Sequence, residues 1–128
     1  MIRPTPGTQA QETIPPLRTR LNRVGSISPR AGQATITLRN TSASEITYEA
    51  IAATDPRTLA SGEEVVLSGL DIPTTISFYQ KDGGLTQAAV SDVSYEDGSF
   101  TVEFSQAPTL DEDDNSLVLL RSGGIYFM

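Results

Sequence analysis

The pattern of the chain changes near residue 33, where apolar and polar positions begin to alternate. Apolar side chains occupy Ala34, Ile36 and Leu38, and polar side chains stand between them. A period of two residues is typical of a strand that buries one face. We therefore predict strands from this point to the end of the chain.

Seven further short apolar or alternating segments follow, each bounded by turn-forming residues. The predicted strands are 34–38, 46–52, 65–67, 75–80, 93–95, 100–104, 117–120 and 125–128. About eight short strands with regularly spaced turns predict an all-β fold, an antiparallel β-sandwich of immunoglobulin-like or similar type.

Two hairpins are expected within this sandwich. Segments 34–38 and 46–52 are joined by a polar turn that begins at Asn40. Segments 93–95 and 100–104 flank Asp97-Gly98, the favoured sequence of a two-residue turn, because its positive φ angles match the twist of the strands. This second hairpin is the clearest local signal in the chain.

The aromatic residues follow the same alternation and therefore predict the core. Those assigned to the core are Tyr48, Phe78, Phe100, Phe104 and Tyr126. Tyr79 and Tyr95 are expected to point outward. The apolar C-terminal segment 125–128 is expected to be buried, either in its own sheet or in another subunit.

Residues 1–32 lack the strand pattern and are predicted to form an N-terminal arm before a sandwich domain at 33–128. Residues 14–24 have two interpretations. Leu17, Leu21 and Val24 have the spacing of a short amphipathic helix that ends at Gly25. Alternatively, the segment is extended, with Leu17 and Leu21 on one side and arginines on the other.

Charge separates the arm from the domain. The chain has a net charge of −7, but residues 1–32 hold five arginines and one glutamate, a net charge of +4. The remaining residues carry four basic and fifteen acidic side chains, a net charge of −11. An acidic domain repels phosphates, so we expect no nucleic-acid partner, and the arm is free to dock on its own domain or on a neighbour's.

The absent residue types weigh against catalysis. The chain has no cysteine and no histidine, which excludes disulfides and thiolate metal sites and removes the commonest general base. We predict that the protein is not an enzyme.

No apolar run approaches the ~18 residues of a membrane span, so no membrane insertion is expected, and we find no signal peptide after Met1.

The acidic stretch before segment 117–120 has one potential metal-binding pattern. Asp111, Asp113 and Asn115 follow the spacing of the first ligands of a calcium loop. Ser116 and Ser122 stand where an EF-hand needs glycine and glutamate, so a solvated turn is the preferred interpretation. Weak Ca²⁺ binding is the alternative, and no other cofactor is expected.

Asn40-Thr41-Ser42 is a glycosylation sequon, for which a simple polar turn is likewise preferred.

Two parts of the sequence resemble known proteins. Residues 36–42 (ITLRNTS) and 46–48 (ITY) look like the opening hairpin of many immunoglobulin-like surface domains. Residues 57–59, 65–70, 73–76 and 82–85 are similar to small exported domains of unknown function in cyanobacteria. The resemblance covers about residues 33–128 and implies an extracellular or cell-envelope location. It implies no activity and no site residues, and the usual immunoglobulin Cys and Trp are missing.

The sequence thus favours a non-enzymatic structural or interaction domain at a bacterial surface, with a protein partner that includes copies of itself. An extended arm can complete a neighbour's sheet, with alternate side chains filling pockets. The assembly residues expected in the arm are Ile14, Leu17, Arg18, Arg20, Leu21 and Arg23. An arm that covers its own sheet edge is the simpler alternative. Other functions considered are a calcium- or carbohydrate-binding accessory domain and a phage or virion decoration protein.

Overall fold

The computed structural model of this chain describes residues 22–51 and 53–128. Within them the chain forms ten strands and one short 3-10 helix, Leu110–Glu112. The strands are β1 Asn22–Ser26, β2 Gln33–Asn40, β3 Ile46–Ala50, β4 Arg57–Leu59, β5 Glu64–Asp71, β6 Thr74–Gln80, β7 Thr86–Ser94, β8 Ser99–Gln106, β9 Ser116–Leu119 and β10 Gly124–Phe127.

The ten strands form two packed sheets, which confirms the predicted β-sandwich. The six-stranded sheet has the order β1-β10-β9-β6-β3-β4, and the four-stranded sheet has the order β5-β2-β8-β7. Neighbouring strands are antiparallel except β2 and β8, which pair in parallel. The alternation does not predict this parallel pair, because it marks a buried face but not the direction of a neighbour.

Two strands were not anticipated. β1 pairs with β10, so residues that the sequence assigned to the arm belong to the larger sheet. Residues 22–24 are extended, so the predicted helix does not continue through them, and the rest of the predicted segment 14–24 lies outside the described residues. β4 has only three residues and pairs with β3; it is too short to show a period.

The predicted hairpin of β2 and β3 is wrong, because the two strands lie in different sheets. The polar turn between them is a corner that carries the chain across the sandwich. Its centre is Asn40, whose side chain is fully buried. The Asn40 Nδ2 donates to the carbonyl oxygens of Ser44 and Leu59, and its Oδ1 accepts from the backbone N–H and the hydroxyl of Ser42.

The hairpin of β7 and β8 is present, but its turn is longer than predicted. Ser94 pairs with Ser99, which leaves residues 95–98 in the turn. Gly98 has a positive φ of 66°, but Asp97 does not, since the non-glycine residues with positive φ in the described part of the chain are Ala31 and Asp92. A two-residue type I′ turn needs positive φ at both central positions, and here a four-residue turn takes its place.

The core lies between the sheets and follows the predicted alternation with one exception. Tyr48, Phe78, Phe100 and Phe104 are buried, and the Phe78 and Phe104 rings pack across the sheets with centroids 4.7 Å apart. Tyr126 is only half-buried, so its assignment to the core is wrong. Its neighbours in β10, Ile125 and Phe127, face inward instead, which places the C-terminal strand within its own sheet.

Candidate functional site

One side of the sandwich carries an open groove, between the edge strands β4 and β5. Its volume is about 620 Å³, and it lies between β5 and the segment that leads from β3 into β4. The residues that line it are Ile51, Ala53, Thr54, Arg57, Val66, Leu67, Ser68, Gly69, Leu70, Asp71, Pro73 and Thr74. Two strand edges that meet at a groove can bind an extended chain.

The sequence explains why this side stays open. β4 ends after three residues, so it covers little of the gap. The pairing of β5 with β2 is irregular, because its register shifts between Ala34 and Ile36. Gly69, on β5, has a positive φ of 66°, a conformation that glycine adopts without strain. Such a bulge bends an edge strand away from regular pairing.

The lining of the groove is apolar at its base and partly exposed above. Leu67 and Leu70 are buried, whereas Ile51 and Val66 are 47% and 56% exposed. A large β-branched side chain left half in water gains free energy when a partner covers it, by about 25 cal/mol per Å² of apolar surface. The groove therefore offers a mixed contact surface, in which Ile51 and Val66 are the half-exposed apolar side chains and Thr54, Ser68 and Thr74 are polar.

The groove itself is lined by one carboxylate and one guanidinium, and further carboxylates stand in an adjoining depression. Asp71 lies at the β5 end of the groove. A second depression of about 450 Å³ shares Ala53, Thr54 and Arg57 with the groove and adds Glu49 and Asp55. Three carboxylates thus stand beside one guanidinium, and this arrangement favours a partner segment with basic side chains.

The opposite side of the sandwich is closed by hydrogen bonds. There the Ser28 N–H donates to the carbonyl oxygen of Tyr95 at 2.8 Å, joining the segment after β1 to the β7–β8 turn. The acidic loop covers the start of β7: the Thr86 N–H donates to Asp113 Oδ1 at 2.7 Å, and the Ala88 N–H donates to Asp114 Oδ2 at 3.0 Å. These carboxylates occupy backbone donors that an incoming strand would need.

This environment changes the titration of Asp114. Burial raises the pKa of its carboxyl, and the nearby charge of Asp113 raises it further, while the hydrogen bond from Ala88 lowers it. The carboxyl group is held in place at the sheet edge at the expense of its hydration.

The three residues predicted to bind calcium make different local contacts in the structure. Asp111 lies in the exposed 3-10 helix, Asp113 accepts from β7, and Asn115 Oδ1 accepts from the Ser116 hydroxyl. Among residues 22–51 and 53–128, no three acidic side chains converge in the way that a metal site requires. Calcium binding here stays a prediction.

The predicted assembly residues lie mostly before the first described strand. Ile14, Leu17, Arg18, Arg20 and Leu21 fall outside the described residues, and Arg23 is exposed in β1. The groove itself was missed by the sequence analysis. The one local signal was Val65-Val66, where two successive apolar residues break the alternation that a half-buried strand would show.

Two surface predictions have definite outcomes. Tyr79 and Tyr95 are each 57% exposed, as predicted. Asn40, the sequon residue, has its amide nitrogen engaged by two carbonyl oxygens and no exposed surface. A glycan on Asn40 is therefore incompatible with this fold. The preferred interpretation of this segment as a simple polar turn agrees with the structure.

Comparison of this chain with protein-family models, with curated proteins and with solved structures finds no match. The class that the structure defines is thus a two-sheet β-sandwich with one closed and one open side. In the part of the chain that the structure describes, no helix has both the length and the apolar character needed to cross a membrane.

Proposed function

We propose that this protein is a non-enzymatic interaction domain that binds protein, including copies of itself, through its sheet edges and its N-terminal arm. The observation that supports this most is the asymmetry of the sandwich. One side is covered by the acidic loop and by backbone hydrogen bonds, whereas the other keeps an open groove with exposed Ile51 and Val66.

The proposal rests on the strand edges, because an exposed edge can pair with any extended chain. Main-chain hydrogen bonds supply affinity, and pockets for alternate side chains supply specificity. The groove between β4 and β5 offers two strand edges together with the half-exposed apolar side chains of Ile51 and Val66. The location at a bacterial surface stays a prediction from the resemblance.

The experiment compares the oligomeric state of two matched variants. Ile51 in the groove and Val93 on the closed side are 47% and 45% exposed, and β7, which contains Val93, is the edge of the same sandwich remote from β5. We expect light scattering to show concentration-dependent association of the full chain, at least tenfold weaker in Ile51→Asp and unchanged in Val93→Asp.

Circular dichroism and a thermal melt establish that both variants fold. Equal association of the two variants, or a full chain that stays monomeric up to millimolar concentration, would exclude self-binding through the groove.

A further inference from the structure

We propose that the groove between β4 and β5 binds residues 17–21 of a second copy of this chain. This inference rests on the proposed function and names the ligand of its site. In the extended conformation, Leu17, Thr19 and Leu21 share one side, and Arg18 and Arg20 share the other. The segment therefore presents an apolar side for the base of the groove and two cations for its rims.

The apolar side of the segment has apolar partners in the groove. Residues two apart on a strand are separated by about 7 Å, so Leu17 and Leu21 lie about 13 Å apart. In the groove, Ile51 and Val66 are the half-exposed apolar side chains that the two leucines can cover. Small Thr19 falls between the two leucines and needs no deep pocket.

The charges favour the same segment. Asp71, Asp55 and Glu49 stand at the groove and the adjoining depression, with Arg57 as the basic residue of the lining. Long arginine side chains reach such rims while the backbone stays along β5. An acidic segment of the chain would instead be repelled, and the rest of the protein beyond the arm has fifteen acidic and four basic side chains.

Distance requires that the segment come from another copy. β1 and β4 are the opposite edges of the six-stranded sheet, five strand spacings or about 24 Å apart. Leu17 precedes the start of β1 by five residues, which span at most about 18 Å when fully extended. Thr19 and Leu21 reach only about 11 Å and 4 Å. The segment therefore cannot lie along its own groove.

Disulfide trapping tests this arrangement, because the natural chain has no cysteine. A Leu17→Cys chain is mixed in a glutathione buffer with an isotope-labelled Ile51→Cys chain, and the mixed disulfide is measured by mass spectrometry. The control replaces the second chain with Val93→Cys, which has matched exposure on the closed side. We expect at least fivefold more mixed disulfide with Ile51→Cys, and a loss of that excess on Arg18→Glu with Arg20→Glu.

A Thr19→Cys chain repeats the measurement with both leucines intact. Equal yields with the two partners in both series would overturn the inference.

A truncated chain that starts at Asn22 separates this inference from the proposed function. We expect it to be monomeric, because it lacks the docking segment but keeps β1. If it associates as the full chain does, and Ile51→Asp still weakens association, the groove binds another part of the second copy and only the identity of the segment is wrong. If Ile51→Asp has no effect, the proposed function fails with it.

Discussion

The side chain of Asn40 joins the two sheets, since its Nδ2 donates a 3.0 Å hydrogen bond to the carbonyl oxygen of Leu59. Asn40 ends β2 in the four-stranded sheet, and Leu59 ends β4 in the six-stranded sheet. The same amide also holds the corner residues Ser42 and Ser44. One buried side chain thus determines where the chain crosses between the layers, next to an edge that borders the groove.

We expect Asn40→Ala to lower the free energy of unfolding by about 2–4 kcal/mol, because it leaves several buried backbone groups without partners. Urea denaturation followed by circular dichroism measures this loss. Asn115→Ala is the control: Asn115 is exposed, and its Oδ1 accepts from the neighbouring Ser116, so a change within about 0.5 kcal/mol is expected. Similar losses in the two variants would contradict the role assigned to Asn40.

Gly123 is expected to tolerate alanine less well than Gly62 does. Both have positive φ, 95° and 82°, so alanine strains either backbone by about 1–2 kcal/mol. A Cβ at Gly123 would also collide with the carbonyl oxygen of Ile27, whereas at Gly62 it meets no atom within 4 Å. Thermal denaturation should show a further loss of about 1–3 kcal/mol in Gly123→Ala. Equal melting temperatures would show that the turn relaxes without cost.

The acidic loop is expected to protect the edge of β7. Asp113→Ala removes the acceptor of the Thr86 N–H, so that amide should exchange its hydrogen about tenfold faster, equivalent to a lost hydrogen bond of about 1.4 kcal/mol. Hydrogen exchange followed by NMR gives the rate for each residue. Asp111→Ala, in the exposed 3-10 helix, serves as the control and should leave Thr86 unchanged. Unaltered exchange in both variants would mean that the carboxylate does not protect the edge.

Asp114 should make the protein less stable as the pH rises. Its pKa in the folded state is raised above 3.8 by burial, so the folded state holds the proton more tightly than the unfolded state. Its contribution to stability is complete below the unfolded pKa and is lost as the pH rises through the folded pKa. Asp114→Asn should remove this decline, as measured by the difference in unfolding free energy between variant and parent from about pH 3 to 7.

The pKa of Asp82 is shifted in the opposite direction to that of Asp114, so Asp82 serves as the comparison. Hydrogen bonds from the Ser44 hydroxyl and the Gly84 N–H lower the pKa of Asp82, so its contribution is present above the unfolded pKa and is lost as the pH falls through the folded pKa. Asp82→Asn should therefore destabilise the protein more at neutral pH than in acid. The same pH trend in both variants would refute the assignments.

Alternation and turn residues were sufficient to predict most of the strands and most of the core. Ile36, Leu38, Phe78 and Phe104 occupy alternate positions and are buried as expected, because the side chains of a strand point to opposite faces whatever lies beside it. The Asp97-Gly98 signal likewise predicted the β7–β8 hairpin, since a local turn requires only local conformations.

The groove could not be predicted, because it depends on which strands are edges. β5 borders the groove from the four-stranded sheet, and Arg57 of β4 borders it from the six-stranded sheet. No local pattern specifies that these two edges border the same groove, since that follows from the order of the strands in both sheets.

The sequence by itself indicated an all-β fold and determined that residues 1–32 carry net positive charge, that the rest carry net negative charge and that cysteine and histidine are absent. Only the tertiary structure decided that β2 and β3 belong to different sheets, that β2 and β8 run parallel and that β1 completes the larger sheet. The physical reason is that alternation records which side chains avoid water, a property of each residue. Strand order instead results from packing between residues far apart in the chain, and this packing left one side of the sandwich open.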